Sequence, residues 1–240
     1  MSVRAVILDV YKTLLDVAPP ADPANTWLAL WKQYFGGAAR LDWPEFCAQA
    51  DALIAREQAA ARAVGIAHPE VCWPDIVRAV VPELADLPAG RQEELLFEQT
   101  RCWHTVRLMP VAVPVLRALH SRGLRLGLAS NAQAYTLREL DAALDGSGLS
   151  RAIFEPDLCF FSFAHGFSKP DPHVFRLLTA RLRARGIPPH ETLMVGDRLD
   201  NDIAPARTQG WQTWQLKSPP EPGAGPGGDW AALAAAYGWS

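Results

Sequence analysis

The stretch Ala5-Val6-Ile7-Leu8-Asp9-Val10-Tyr11-Lys12-Thr13 decides how this chain is read. Four apolar residues closed by an acid have the look of a strand buried on both faces, as in a parallel sheet. Runs of the same kind recur at 124–129 before Ser130-Asn131, at 158–163 after Glu155-Pro156-Asp157, at 192–195 before Gly196-Asp197, and at 211–216 after Gly210. Between them apolar residues fall at helical spacing: Val113, Leu116 and Leu119 before Gly123; Leu137, Leu140 and Leu144 before Gly146; Val174, Phe175, Leu178 and Leu182 between Pro170 and Gly186. Strand alternating with helix predicts an α/β fold with a parallel-sheet core.

Residues 16–106 break that rhythm. No convincing strand is visible there, and four helical faces are: Trp27, Leu30, Trp31 and Tyr34; Phe46, Ala50, Leu53 and Ile54; the run 71–80; and Leu95, Leu96, Gln99 and Trp103. The segment therefore reads as a helical insert after the first strand, with linkers at the proline-rich 18–23 and near Met109-Pro110. The expected division is a core of 1–15 and 107–240 and an insert of 16–106. Five of the nine tryptophans lie in the insert, where a hydrophobic core is the simpler explanation than an aromatic substrate pocket. The Pro/Gly-rich 218–228 reads as a loop or mobile connector before a short helical face at Trp230, Leu233 and Tyr237.

Composition narrows the function. The 240 residues are 49% hydrophobic and 20% charged, with a formal net charge of −3, which gives no general reason to bind nucleic acid or an anionic membrane. No apolar run is long enough to span a bilayer, and the N-terminal one is cut at Asp9, too early for a signal peptide. Four scattered cysteines form no C-x-x-C pair, so a reducing cytoplasm is the expected location. A small-molecule substrate is the expected partner; oligomeric state is open.

The proposed strands end in polar groups of one kind. Asp9 to Thr13 closes the first and Ser130-Asn131 the second; Lys169-Pro170 follows a third, and Gly196-Asp197, with Asp200 and Asp202 beyond, closes a fourth. In an open α/β sheet these ends converge on one crevice. Carboxylates that close need a divalent cation or a lysine between them, and an all-oxygen set favours magnesium. Magnesium, lysine and hydroxyls together suit a phosphoryl group, with an aspartate as nucleophile.

In this order and spacing, Asp9-x-Tyr11-x-Thr13-Leu14, Ser130-Asn131, Lys169-Pro170-Asp171 and Gly196-Asp197-x-x-x-x-Asp202 resemble the four signature motifs of the haloacid dehalogenase superfamily. The resemblance runs from Val6 to about Gln209. It implies a Rossmann-like core with a helical cap inserted after the first strand, and a hydrolase. It also implies roles. Asp9 would be nucleophile and metal ligand, and the Tyr11 backbone carbonyl a second ligand. Thr13, Ser130 and the Asn131 backbone N–H would contact the transferring group, and Lys169 would neutralise charge. Asp197 would hold magnesium, with Asp202 ligating it or orienting its waters. Asp171, Asp200 and Asn201 read as capping or solvated residues, and His165 and His173 as surface histidines. Arg40 and Arg198 are long enough to reach an anionic substrate but are not distinguished from solvated charges.

Two departures bear on the reaction. Phosphatases resembling this pattern carry an acid/base aspartate where Tyr11 stands, and a phenol near pKa 10 is a poor general base at neutral pH. Asp-x-Tyr resembles instead the 2-haloacid dehalogenases, whose halide leaves without a proton. Those metal-independent enzymes, however, replace the first aspartate of the fourth motif, and Asp197 is present here. A magnesium-dependent phosphatase of a small phosphorylated metabolite is therefore expected, with a 2-haloacid dehalogenase and a low-activity binding or regulatory protein as alternatives. Lys12 stands where Asp-x-Tyr members commonly carry glycine, a cation that either binds substrate or points to water.

Overall fold

A computed structural model describes residues 2–239. Strand β1 (Ala5–Leu8) leads through a short β2 (Leu15–Ala18) into helices α1 (Pro23–Tyr34), α2 (Trp43–Ala63), α3 (Trp73–Val80) and α4 (Ala89–Glu98), and the chain returns along β3 (Thr105–Leu108). Then α5 (Ala112–Ser121), β4 (Arg125–Ser130), α6 (Tyr135–Leu144), β5 (Phe160–Phe161), α7 (Pro172–Ala184), β6 (Thr192–Gly196), α8 (Ala204–Thr208), β7 (Gln212–Gln215) and α9 (Trp230–Tyr237) alternate as expected.

The main sheet has the order β5-β4-β1-β6-β7, and every pairing in it is parallel. β1 is central, which explains its unbroken apolar run. Alternate side chains serve opposite faces. Val6 and Leu8 join a core made with Leu116 and Leu119 of α5, Leu140 of α6 and Leu233 of α9, whereas Ala5 and Ile7 join Phe175 and Leu178 of α7 and Ala206 of α8. Each fully buried side chain of this size contributes roughly 1.5–3 kcal/mol relative to exposure. Because all strands run the same way, Asp9, Ser130 and Asp197 emerge at one edge of the sheet.

The helices α1 to α4 close on a second, separate core around Trp27, which is 1% exposed. Its ring meets Trp31, Trp43 and Phe46 at centroid distances of 5.8, 5.7 and 4.7 Å, and its indole N–H donates to the Leu41 carbonyl at 2.8 Å. Trp31, Trp43 and Trp73 are buried with it, so these tryptophans are core, while Trp103 packs edge-on to Trp43 and stays partly exposed. The helix starts follow the sequence chemistry. Asp22 caps α1 ahead of Pro23, and Asp42 and Glu45 form a reciprocal capping box on α2.

Three expectations need correction. The ends of the insert are not plain linkers: β2 and β3 pair antiparallel, Leu15 with Leu108 through Ala18 with Thr105. Four residues apiece give too short an alternation to stand out in a sequence. The strand expected over 158–163 contracts to β5, because Ser162 turns the chain away: its Oγ accepts from the Ala132 N–H at 2.8 Å and donates to Glu70 at 2.6 Å. The 218–228 segment is a loop, but one held to the core rather than a mobile connector. The Gln215 N–H donates to the Pro226 carbonyl, the Gly228 N–H donates to the Gln215 carbonyl, Arg207 bonds the carbonyls of Gly223 and Ala224, and Ala224 is fully buried. α9 then docks on the core, where the Trp230 indole N–H donates to the Thr13 carbonyl at 3.2 Å.

Beyond the β2–β3 ribbon, the turn between α2 and α3 ties the helical unit to the core. Pro69 pairs with Phe167, the Glu70 N–H donates to the Gly166 carbonyl at 3.0 Å, and Gln133 Nε2 donates to both Glu70 and the Val71 carbonyl. The helical unit is thus anchored beside the two loops that carry Asn131 and Lys169. Among the described residues no helix is long and apolar enough to cross a membrane.

Candidate active site

Asp9 leaves the end of β1 with its N–H donated to the Val195 carbonyl at 2.9 Å, which locks its backbone to the neighbouring strand β6. The chain then folds back sharply: the N–H groups of Thr13, Leu14 and Leu15 all point to the Val10 carbonyl. Lys12 sits at the crest with φ +59°, the one described residue other than glycine at positive φ. For a residue bearing a β-carbon, that conformation costs about 1–2 kcal/mol.

The turn brings Thr13 Oγ1 to 3.4 Å from Asp9 Oδ2. Lys169, buried to 3% exposure, donates through Nζ to Asp9 Oδ1 at 2.8 Å and to Asp202 Oδ1 at 2.5 Å. Its backbone is clamped by the Asn131 side chain, whose Oδ1 accepts from the Lys169 N–H at 2.7 Å and whose Nδ2 donates to the Lys169 carbonyl at 2.8 Å. Asn131 therefore fixes the lysine through its amide group. Ser130, one residue earlier, has a buried hydroxyl with no hydrogen-bond partner among the described residues, an orphan donor at the strand end.

The fourth strand end is shaped by Gly196. A β-carbon there would lie 2.5 Å from the Asp202 carboxyl carbon, so only glycine lets Asp202 approach. Asp202 Oδ2 accepts from the Arg198 N–H at 3.1 Å, and the Gln215 side chain donates to the Asp197 carbonyl at 2.9 Å. Asp9, Asp197 and Asp202 each place a carboxylate oxygen within 4.8 Å of the others. Together with Lys12, Asn131, Lys169 and Asn201 they line a cleft of about 480 Å³.

Electrostatics make this cluster costly to leave alone. Burial pushes the Asp9 carboxyl up, Lys169 pulls it down and Asp202 pushes it up again, leaving it at about 6. Burial and Asp202 also raise Asp197. For Lys169 burial acts to lower the ammonium, but Asp202 and Asp9 outweigh it and hold it above its ordinary value, so it stays charged. Three carboxylates against one buried ammonium, all offering oxygen, fit a hard divalent cation.

The expected site residues Asp9, Thr13, Ser130, Asn131, Lys169, Asp197 and Asp202 all lie at this sheet edge. The Tyr11 phenol turns elsewhere: its hydroxyl donates to Glu139 Oε2 at 2.5 Å and meets Thr136 Oγ1 at 2.8 Å, while Glu139 Oε1 contacts His104 Nε2 at 2.8 Å. Burial and Glu139 raise this phenol far above its ordinary range. Glu139, Thr136 and His104 escaped the sequence reading because a glutamate on an amphipathic helix gives no sign of being buried. Arg40 is removed from the site, pairing with Glu83 and the Val80 carbonyl inside the helical unit. Arg198 remains at the rim, paired with Asp200 at 2.6 Å. Asp171 caps α7 and binds His173, and His165 stacks on Phe160, so none of these faces the cleft chemistry.

Comparison with known proteins adds a family to this geometry. The chain is 33% identical over 137 residues to a phosphoserine phosphatase of Thermus thermophilus, an overlap of 56% of this chain and 50% of that protein. The chain thus spans half the length of that curated relative. Among solved structures, an L-2-haloacid dehalogenase is 25% identical with a TM-score of 0.57, covering 99% of this chain and 100% of that one. A 2-haloacid dehalogenase from Pseudomonas syringae shares the fold at 20% identity, TM-score 0.65 and the same coverage. Residues 3–210 match the model of the haloacid dehalogenase-like hydrolases, and the chain belongs to that family.

Proposed function

We propose that this hydrolase is a magnesium-dependent phosphatase of a small phosphorylated metabolite, acting through an aspartyl-phosphate on Asp9. The observation that carries the reading is Asp197 crowded with Asp9 and Asp202 around one buried lysine. Displacing halide from carbon gives no reason for three converging carboxylates, whereas phosphoryl transfer does. The similarity to a phosphoserine phosphatase points the same way.

Asp9, Asp197 and the Tyr11 carbonyl would hold magnesium, which supplies charge neutralisation to the phosphoryl oxygens. Asp202, engaged through both oxygens by Lys169 and the Arg198 N–H, would orient that sphere rather than dominate it. Lys169 grips Asp9 Oδ1, so Oδ2 is the oxygen left to bond to phosphorus. The hydroxyls of Thr13 and Ser130 and the Asn131 N–H would donate to the transferring group as the ester oxygen departs. Water then attacks phosphorus and frees Asp9. With the Tyr11 hydroxyl held by Glu139, no side chain at that position protonates the departing oxygen, and aryl or acyl phosphates should turn over fastest. Residues 16–106 would act as a cap over the cleft, excluding water during transfer and selecting the substrate. The free cysteines suit a reducing cytoplasm.

Asp9-x-Tyr11 and the 25% identity along the chain favour a second reading, a haloacid dehalogenase with an ester on Asp9. Phosphate release from p-nitrophenyl phosphate and acetyl phosphate, beside chloride release from L-2-chloropropionate, decides between them when each is run with magnesium and with chelator. Phosphate release confined to magnesium supports the phosphatase. Chloride release that persists in chelator overturns it.

A further inference from the structure

Lys12 is a cation of the cleft whose side chain pairs with nothing among the described residues. Its backbone closes the turn after β1, with the N–H donated to the Leu15 carbonyl at 2.6 Å, and its left-handed φ of +59° is one that glycine takes without penalty. A β-carbon is carried there nonetheless, at a position beside the nucleophile where strain is a pointer to function. The side chain is exposed, lines the same cleft as Asp9 and Asp197, and has no ion pair or hydrogen bond among the described residues.

The other cations of the cleft are engaged. Lys169 is bound to Asp9 and Asp202, and Arg198 to Asp200. Lys12 lines the same cleft as Asp197 and Asp9. The groups suited to a phosphoryl unit, Thr13, Ser130 and Asn131, lie on the β1 and β4 side. A substrate seated on them leaves one free cation facing its remaining atoms.

We propose that the Lys12 ammonium receives a second anionic group of the substrate, a carboxylate or a further phosphate, and so sets the enzyme's preference for phosphomonoesters that carry one. This rests on the phosphoryl-transfer reading of the site. An ammonium so placed binds an anion of the substrate and takes no part in the bond changes at phosphorus.

Two substrate pairs test it, with magnesium present. 3-Phosphoglycerate and glycerol 3-phosphate differ in a carboxylate, and fructose 1,6-bisphosphate and fructose 6-phosphate in a phosphate. The parent enzyme should favour the doubly anionic member of at least one pair in kcat/KM by about tenfold, the worth of one charge-assisted contact. That preference should fall to near parity in Lys12→Met and survive in part in Lys12→Arg. Lys12→Gly should lose it too while melting about 2–4 °C higher as the turn relaxes, which separates lost recognition from lost folding. Parity in both pairs for the parent, or a preference that survives Lys12→Met, overturns the assignment. If the parent releases no phosphate from these compounds or from p-nitrophenyl phosphate, the phosphoryl-transfer reading fails first, and this inference with it.

Discussion

Tyr11 and Glu139, separated by 128 residues in sequence, share a 2.5 Å hydrogen bond that ties the phenol of the first motif to α6. The same glutamate holds His104, just ahead of β3, so the turn after Asp9 is linked to the strand by which the helical unit rejoins the core. Tyr11 is thus an anchor for the turn that carries Asp9.

Tyr11→Phe should lower stability by about 1–3 kcal/mol, because a buried carboxylate loses its donor. An acid or base role would add a larger loss on poor leaving groups. The ratio of aryl to alkyl phosphate turnover should instead move less than about twofold, and denaturant melts read beside that ratio check both parts.

Lys169→Met removes the ammonium between Asp9 and Asp202 and leaves both carboxylates buried without it. Breaking a buried pair in this way should cost about 3–5 kcal/mol, and turnover should fall by at least about a hundredfold. Magnesium should recover part of the lost melting temperature, since a cation then again faces the carboxylates.

Magnesium binding should weaken in acid. Asp9 stands at about 6 when folded against an ordinary 3.8, so the native metal-free protein keeps a proton that the unfolded chain gives up. Its contribution to stability is present below about pH 4 and is lost as pH rises through about 6. A metal must displace the same proton, so calorimetric affinity for magnesium should be about tenfold lower at about pH 5 than at about pH 7. Equal affinities would show that Asp9 is not a ligand.

Gly196→Ala drives a β-carbon into the Asp202 carboxyl. Overpacking at such a site should cost about 1–3 kcal/mol, and the displaced Asp202 should loosen Lys169 and depress turnover together with magnesium affinity. A melting curve and a magnesium titration on the same variant check it.

Much of this was legible in the sequence where local chemistry and global fold agree. The run 5–8 between two other central strands had to be apolar on both faces, and the acid closing it had to sit at the sheet edge. What was hidden depends on contacts far apart in the chain. The β2–β3 ribbon joins residues about ninety positions apart through four-residue strands, and the Trp230 bond to the Thr13 carbonyl crosses 217 positions. The Asn131 side chain was read only through its neighbour's hydroxyl and its own backbone, yet its amide group clamps Lys169.

Phosphoryl transfer through Asp9 requires a covalent phosphoryl group on its carboxylate. Enzyme mixed with acetyl phosphate and magnesium, quenched in acid and digested, should yield a phosphorylated peptide containing residue 9, absent without magnesium and absent in Asp9→Asn. Steady phosphate release with no label at Asp9, or with undiminished rate in Asp9→Asn, would contradict the account.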